Sequence, residues 1–243
     1  MKRRYALILT TALIALAGGT SLLAGGPGNG KGNPNPGIVP SHAVYKGKTA
    51  GEWTAAWWQW VRGTEGSVQM YDETGEFAYV NNNGADGVFF LAKSWAEDED
   101  RNNIPQERHV TIPTGTPLYI PVMGFGSYNP PGSLLEFFGT FEAMREAVNE
   151  LIPSSRDLSV TINGESVAAL EDGNLYYLNY VGDRLEPSLV ENAEGEVFEV
   201  TGYEISVILK PLPPGEYVIE MKGKFDPDFE SDVTYYLTVE PGN

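Results

Sequence analysis

Four short runs in the last third of the chain alternate apolar with polar residues, and this period constrains the fold most. Leu158, Val160 and Ile162 alternate with Ser159 and Thr161, and Ile205, Val207 and Leu209 form a second stripe. Tyr217, Ile219 and Met221 alternate with Glu220 and Lys222; Val233, Tyr235, Leu237 and Val239 alternate with Thr234, Tyr236 and Thr238. A period of two puts every apolar side chain of a run on one face of a strand. Asn163-Gly164 closes the first run and Pro213-Pro214-Gly215 introduces the third, both turn sequences. Short half-buried strands broken by such turns predict a mainly β chain, an antiparallel immunoglobulin-like sandwich. Upstream, residues 77–80, 88–92, 109–112 and 118–122 are further expected strands, and residues 81–87 are rich in turn formers.

Two accessory helices are expected beside the sheets. Thr49-Ala50-Gly51-Glu52 has the form of a capping box, a hydroxyl at the N-cap and a carboxylate three residues on. Trp53, Trp57, Trp60 and Val61 then recur at helical spacing, with Gly63 as the stop. Residues 141–152 form the second candidate, with Phe141, Met144, Val148 and Leu151 on one face and Pro153 beyond.

The amino terminus gives an address. Lys2, Arg3 and Arg4 precede an apolar stretch, and Ala15-Leu16-Ala17 has the small-x-small form of a cleavage site. Residues 1–24 are therefore expected to be a signal peptide, cut after Ala17 or Ala24, for a secreted, periplasmic or extracellular protein. No membrane span is expected after cleavage. From residue 25 to 37 every residue except Lys31 is Gly, Pro or Asn. Such a stretch cannot bury a core, so residues 25–38 read as a flexible tether. Residues 39–243 follow as a single β-rich domain, or as two sub-modules meeting near residues 153–157. With 33 Asp and Glu against 16 Lys and Arg, the formal charge of −17 argues against nucleic acid as a partner. The absence of Cys excludes disulfides, cysteine-zinc sites and thiol catalysis.

The segment Glu52-Trp53-Thr54-Ala55-Ala56-Trp57-Trp58-Gln59-Trp60 resembles the Trp-Trp-Gln-Trp helix of a family of exported bacterial proteins of uncharacterised function. Val88-Phe89-Phe90-Leu91-Ala92, Arg108 to Pro113, Tyr119-Ile120-Pro121, Pro211 to Gly215 and Val233 to Val239 are similar to its later motifs. The resemblance implies export and a carboxy-terminal β-sandwich, and it carries no activity with it. Phe89 stands where the family has Trp, Lys93 where it has Gly, and Met123-Gly124 where it tends to polar residues.

Trp58 lies off the face shared by the other three indoles, so it is the candidate for an exposed stacking platform. Gln59 and Arg62 would supply hydrogen bonds beside it. Asp226, Asp228, Glu230 and Asp232 alternate before a strand and are candidate oxygen ligands for Ca²⁺, without the glycine and terminal glutamate of an EF-hand. The same carboxylates also suit a solvated loop that discourages edge pairing. His42 and His109 belong to no zinc motif, and neither a nucleophile elbow nor a phosphate loop is present. The expectation is an exported non-catalytic binding or surface-structural protein, with a glycan or cell-envelope component as ligand. A secreted carboxylate-dependent polysaccharide hydrolase and a calcium-stabilised surface-layer or adhesin module are the alternatives.

Overall fold

The alternating runs become strands, and their register explains which residues are inside. The computed structural model describes residues 37–40, 42–82, 87–94, 106–128, 143, 146, 155–167, 175–177, 180–181, 184–185, 188–225 and 229–242. The expected signal peptide and tether therefore lie outside the described residues, apart from residues 37 and 38. So does the expected second helix, except for Ala143 and Glu146, which are helical. Residues Gly32–Asn243 form one compact unit.

The first sheet joins β1 (Phe89–Phe90), β3 (Leu118–Tyr128), β10 (Val197–Leu209) and β6 (Leu175–Tyr177) in that order, and β9 (Ser188–Glu191) also pairs with β10. The second runs β2 (Gln106–Pro113), β12 (Phe229–Glu240), β11 (Gly215–Phe225), β4 (Ser155–Ile162) and β5 (Glu165–Ser166). A short ribbon pairs β7 (Tyr180–Val181) with β8 (Arg184–Leu185). The β11–β12 ladder is a regular antiparallel hairpin, and Asn163-Gly164 turns β4 into β5 with both residues at positive φ.

Both sheets are mixed, which corrects the expectation of purely antiparallel pairing. β12 runs parallel to β2, and β1 runs parallel to β3. The cause is connectivity. A hairpin can deliver only an antiparallel neighbour, whereas a parallel pair needs a crossover. After β2 the chain crosses to the other sheet as β3, and after β1 it first visits the second sheet as β2.

The sheets pack face to face through a common aliphatic layer. Leu118, Ile120, Val207 and Leu209 meet Val160, Ile219, Val233 and Leu237 there. The other face of the first sheet carries helix α1 (Ala50–Arg62). Alternation divides β1, β3 and β10 between the two layers: at β1 Phe89 and Leu91 point to the aliphatic side, Val88 and Phe90 to the helix. Helix α1 starts at the expected box, with Glu52 N–H donating to the Thr49 hydroxyl and Thr49 N–H donating to the Glu52 carboxylate. Gly63 ends it. A two-turn 3₁₀ helix, Glu65–Met70, follows it, an element that the sequence pattern does not predict.

Candidate functional site

Trp53, Trp57 and Trp60 are buried as their spacing implies, and each indole N–H finds a backbone carbonyl. Trp53 donates to Tyr45 at 2.9 Å, Trp57 to Leu91 at 2.8 Å and Trp60 to Val80 at 2.7 Å. A buried indole loses water on its one donor, so these bonds let the rings fill the layer without an orphaned N–H.

Trp58 does not provide the expected exposed platform. Its ring is 1% exposed, edge-on to Trp57 at 5.3 Å between centroids and 86° between planes. The Arg62 guanidinium stands 5.7 Å from the ring centroid. The helix is covered on two faces, so the position off the main apolar stripe is buried as well. Gln59 has a structural engagement: its amide donates to the Glu191 carbonyl at 2.8 Å and accepts from Glu191 N–H at 3.0 Å, tying α1 to β9.

Beneath the helix lies a charged centre that the sequence did not disclose. Lys93 Nζ sits 2.7 Å from both carboxylate oxygens of Glu204, with the two side chains 4% and 0% exposed. The ammonium also stands 5.2 Å from the Trp57 ring and 5.9 Å from Trp58. Burial pulls Lys93 below its ordinary pKa and pushes Glu204 above its own, while each partner's charge opposes the shift. Arg108 is buried nearby. It donates to the carbonyls of Asp72 and Ala92 at 2.7 and 2.6 Å, to the Tyr235 hydroxyl at 2.8 Å, and to Gln106 Oε1. The Tyr235 hydroxyl in turn donates to the Ala92 carbonyl and accepts from Ala92 N–H, both at 2.9 Å.

These buried donors moor a surface loop. The expected strand at residues 77–80 is a series of turns, with Ala78 N–H bonded to Gly75, Val80 to Phe77 and Asn82 to Tyr79. Local side-chain acceptors outcompete sheet pairing here. Asp72 accepts from the backbone N–H groups of Thr74, Gly75 and Phe77. Asn82 exchanges hydrogen bonds with the backbone of Phe90. Gly75, at φ +94°, lies so close to β2 that a Cβ would sit 2.6 Å from the His109 carbonyl oxygen. The Asp72-Glu73-Thr74-Gly75 sequence is itself a turn signature, and it was the signal available for this loop.

The moored loop presents Tyr79 at the free edge of β2. Its hydroxyl accepts from Thr111 N–H at 2.6 Å and donates to the Thr111 carbonyl at 3.0 Å. Phe89 meets the ring edge-on at 5.9 Å, yet Tyr79 remains 48% exposed. Beside it opens a cleft of about 300 Å³, bounded by Lys46, Gly87, Thr111 and the Thr114–Thr116 turn. None of the described residues lining it is acidic, although the chain holds 33 Asp and Glu.

The carboxylates considered for calcium are only partly described. Asp226 and Asp228 lie outside the described residues. Glu230 and Asp232 sit on β12 opposite lysines of β11, Lys224–Glu230 at 3.7 Å and Lys222–Asp232 at 3.1 Å. The Asp232 hydrogen bond and charge raise the Lys222 pKa. Among the described residues no three His, Asp or Glu side chains are grouped as metal ligands, and no described helix is long and apolar enough to cross a membrane. His42 is exposed, and His109 stacks on Tyr236 at 4.8 Å on the outer face of the second sheet. Compared with known protein families, curated proteins and solved structures, the chain gives no match.

Proposed function

We propose that the chain is an exported glycan-binding module whose ligand site is the Tyr79 cleft. One observation carries this: a half-exposed aromatic ring held in place by two backbone hydrogen bonds, beside a cleft edged with hydroxyls. An aromatic face offers apolar area to a sugar ring at little entropic cost, because the ring is already fixed. Threonine hydroxyls both donate and accept, which suits the hydroxyls of a sugar. An immunoglobulin-like sandwich is the scaffold this reading implies, with the site on the loops and turns at a sheet end. The residues 1–24 would deliver it outside the cytoplasm.

Non-catalytic binding is favoured over hydrolysis at this place. Glycoside hydrolysis calls for two carboxyl groups flanking the scissile bond, and the described residues of the cleft supply none. A calcium-stabilised module has less behind it, since Glu230 and Asp232 already face lysines.

The test is depletion from solution by a panel of insoluble polysaccharides and cell envelopes. Tyr79→Ala should lower retention several-fold to about tenfold, the range of an aromatic contact. Tyr79→Phe keeps the ring but frees it from Thr111, so its retention should fall between those of wild type and Tyr79→Ala. Equal retention of folded Tyr79→Ala and wild type would sink the reading.

A further inference from the structure

We infer that the cleft selects anionic sugars, carboxylated or sulfated, through the ammonium group of Lys46; this rests on the glycan reading of the same cleft. Lys46 and Gly47 are the two central residues of a tight turn closed by Tyr45 N–H to Lys48 O at 2.9 Å and Lys48 N–H to Tyr45 O at 3.1 Å. Their φ values are +49° and +84°. Positive φ at both centres is the pattern of a type I′ turn, where Asn, Asp or Gly is the low-strain choice at the first position. Lysine there holds its backbone in the left-handed region at a steric cost. A residue kept in such a conformation points to a use for its side chain.

Three further observations say what that use is. The Lys46 side chain runs along Gly87: a Cβ built on that glycine, itself at φ +78°, would meet Nζ at 2.8 Å and Cδ at 3.4 Å. The side chain, although exposed, is thereby laid along the wall of the cleft. No hydrogen bond or ion pair falls to Lys46 Nζ among the described residues, while Lys93, Lys222 and Lys224 are all matched to carboxylates. The described lining of the cleft holds no competing negative charge. An uncommitted, positioned cation beside an aromatic ring and hydroxyls fits one ligand chemistry: a sugar bearing an acidic group. The overall charge of −17 opposes the approach of a polyanion. At physiological ionic strength that opposition is screened beyond about 8 Å, so the local cation decides contact.

The experiment compares retention of the full exported protein by three soluble polymers in affinity electrophoresis: polygalacturonate, dextran sulfate and neutral dextran. The variants are Lys46→Asn and Lys46→Gln. Asparagine tolerates positive φ, so Lys46→Asn should match or exceed the wild-type thermal midpoint. It should nonetheless weaken binding to the acidic polymers about tenfold or more, the loss expected for one charge-assisted contact. Preference for polygalacturonate over dextran sulfate would identify the acid as a carboxylate, and the reverse preference as a sulfate. Undiminished binding of either acidic polymer by Lys46→Asn overturns the inference. Retention by neutral dextran alone, lost in Tyr79→Ala, overturns it and leaves the glycan site standing. Retention by none of these polymers, or by any polysaccharide of the depletion panel, overturns both.

Discussion

Strand β10 has two faces that solve burial in opposite ways. On one side Val207 and Leu209 enter an aliphatic layer shared with the second sheet. On the other, Glu204, Ser206 and Ile208 lie under the Trp helix, where the layer is aromatic and holds a lysine–glutamate pair. The aliphatic face needs only matching volumes, because its side chains carry no group that misses water. The helix-side face hides charged and polar groups, and these find partners there with Ser206 Oγ as an exception. Uniform chemistry makes the first tolerant, whereas the second is tied to particular partners. The Tyr79 loop is tied to particular partners in the same way, since Arg108, on the inner face of β2, donates to the Asp72 carbonyl at its root.

The largest expected effect breaks the charged side. Lys93→Met leaves Glu204 buried without its cation, a loss of about 3–5 kcal/mol. Adding Glu204→Met removes the stranded charge and should return stability to within about 1 kcal/mol of wild type, or above it. Urea unfolding with an unchanged m-value is the measurement. A double variant as unstable as the single one would show that the layer depends on the shape of these side chains rather than on their pairing.

A smaller contrast comes from adjacent residues on opposite faces. Val207→Thr puts a hydroxyl of nearly equal volume into the aliphatic layer, at a cost of about 1–3 kcal/mol. Ser206 Oγ is buried with no hydrogen-bond partner among the described residues. Ser206→Ala should therefore be neutral or stabilising by up to about 1 kcal/mol. Opposite signs at neighbouring positions would sharpen the distinction between the faces; equal losses would erase it.

The aliphatic layer was legible in the sequence because a period of two is local: Val233, Tyr235, Leu237 and Val239 announce their face without knowledge of any partner. The capping box at Thr49 was legible for the same reason. What stayed hidden depends on contacts between distant segments. Lys93 and Glu204 are 111 residues apart, and nothing near either one signals the other. The parallel pairing of β2 with β12 is likewise a property of the whole path. Trp58 shows the converse limit, because a helical wheel orders positions around an axis without saying how many sides will be covered. Tyr79 was read as part of a strand, since its apolar neighbours outweighed the Asp72 turn in the local pattern. The cleft is no more local, because Lys46, Gly87 and Thr111 come from three separate segments.

The smallest expected effect tests the entry to the Trp helix. The Thr49 backbone N–H, then its hydroxyl, hold the Glu52 carboxyl below its ordinary pKa, against a weaker upward push from burial. Lys48 adds a further downward pull. A carboxyl whose folded pKa is depressed adds stability at pH values above its unfolded pKa, near 4.3. That contribution is lost as pH falls through the folded value. Glu52→Gln can keep a hydrogen bond to Thr49 N–H but has no charge to set against the helix N-terminus. At pH 7 the variant should be less stable by about 0.3–1 kcal/mol. The gap between the two thermal midpoints should then narrow below about pH 4 and close once Glu52 is protonated in both states. A gap that persisted unchanged at pH 2 would mean that the glutamate acts through its shape. The helix side of the sheet would then owe its starting point to packing, as the aliphatic side does, and the contrast between the two faces would not extend to the first turn of α1.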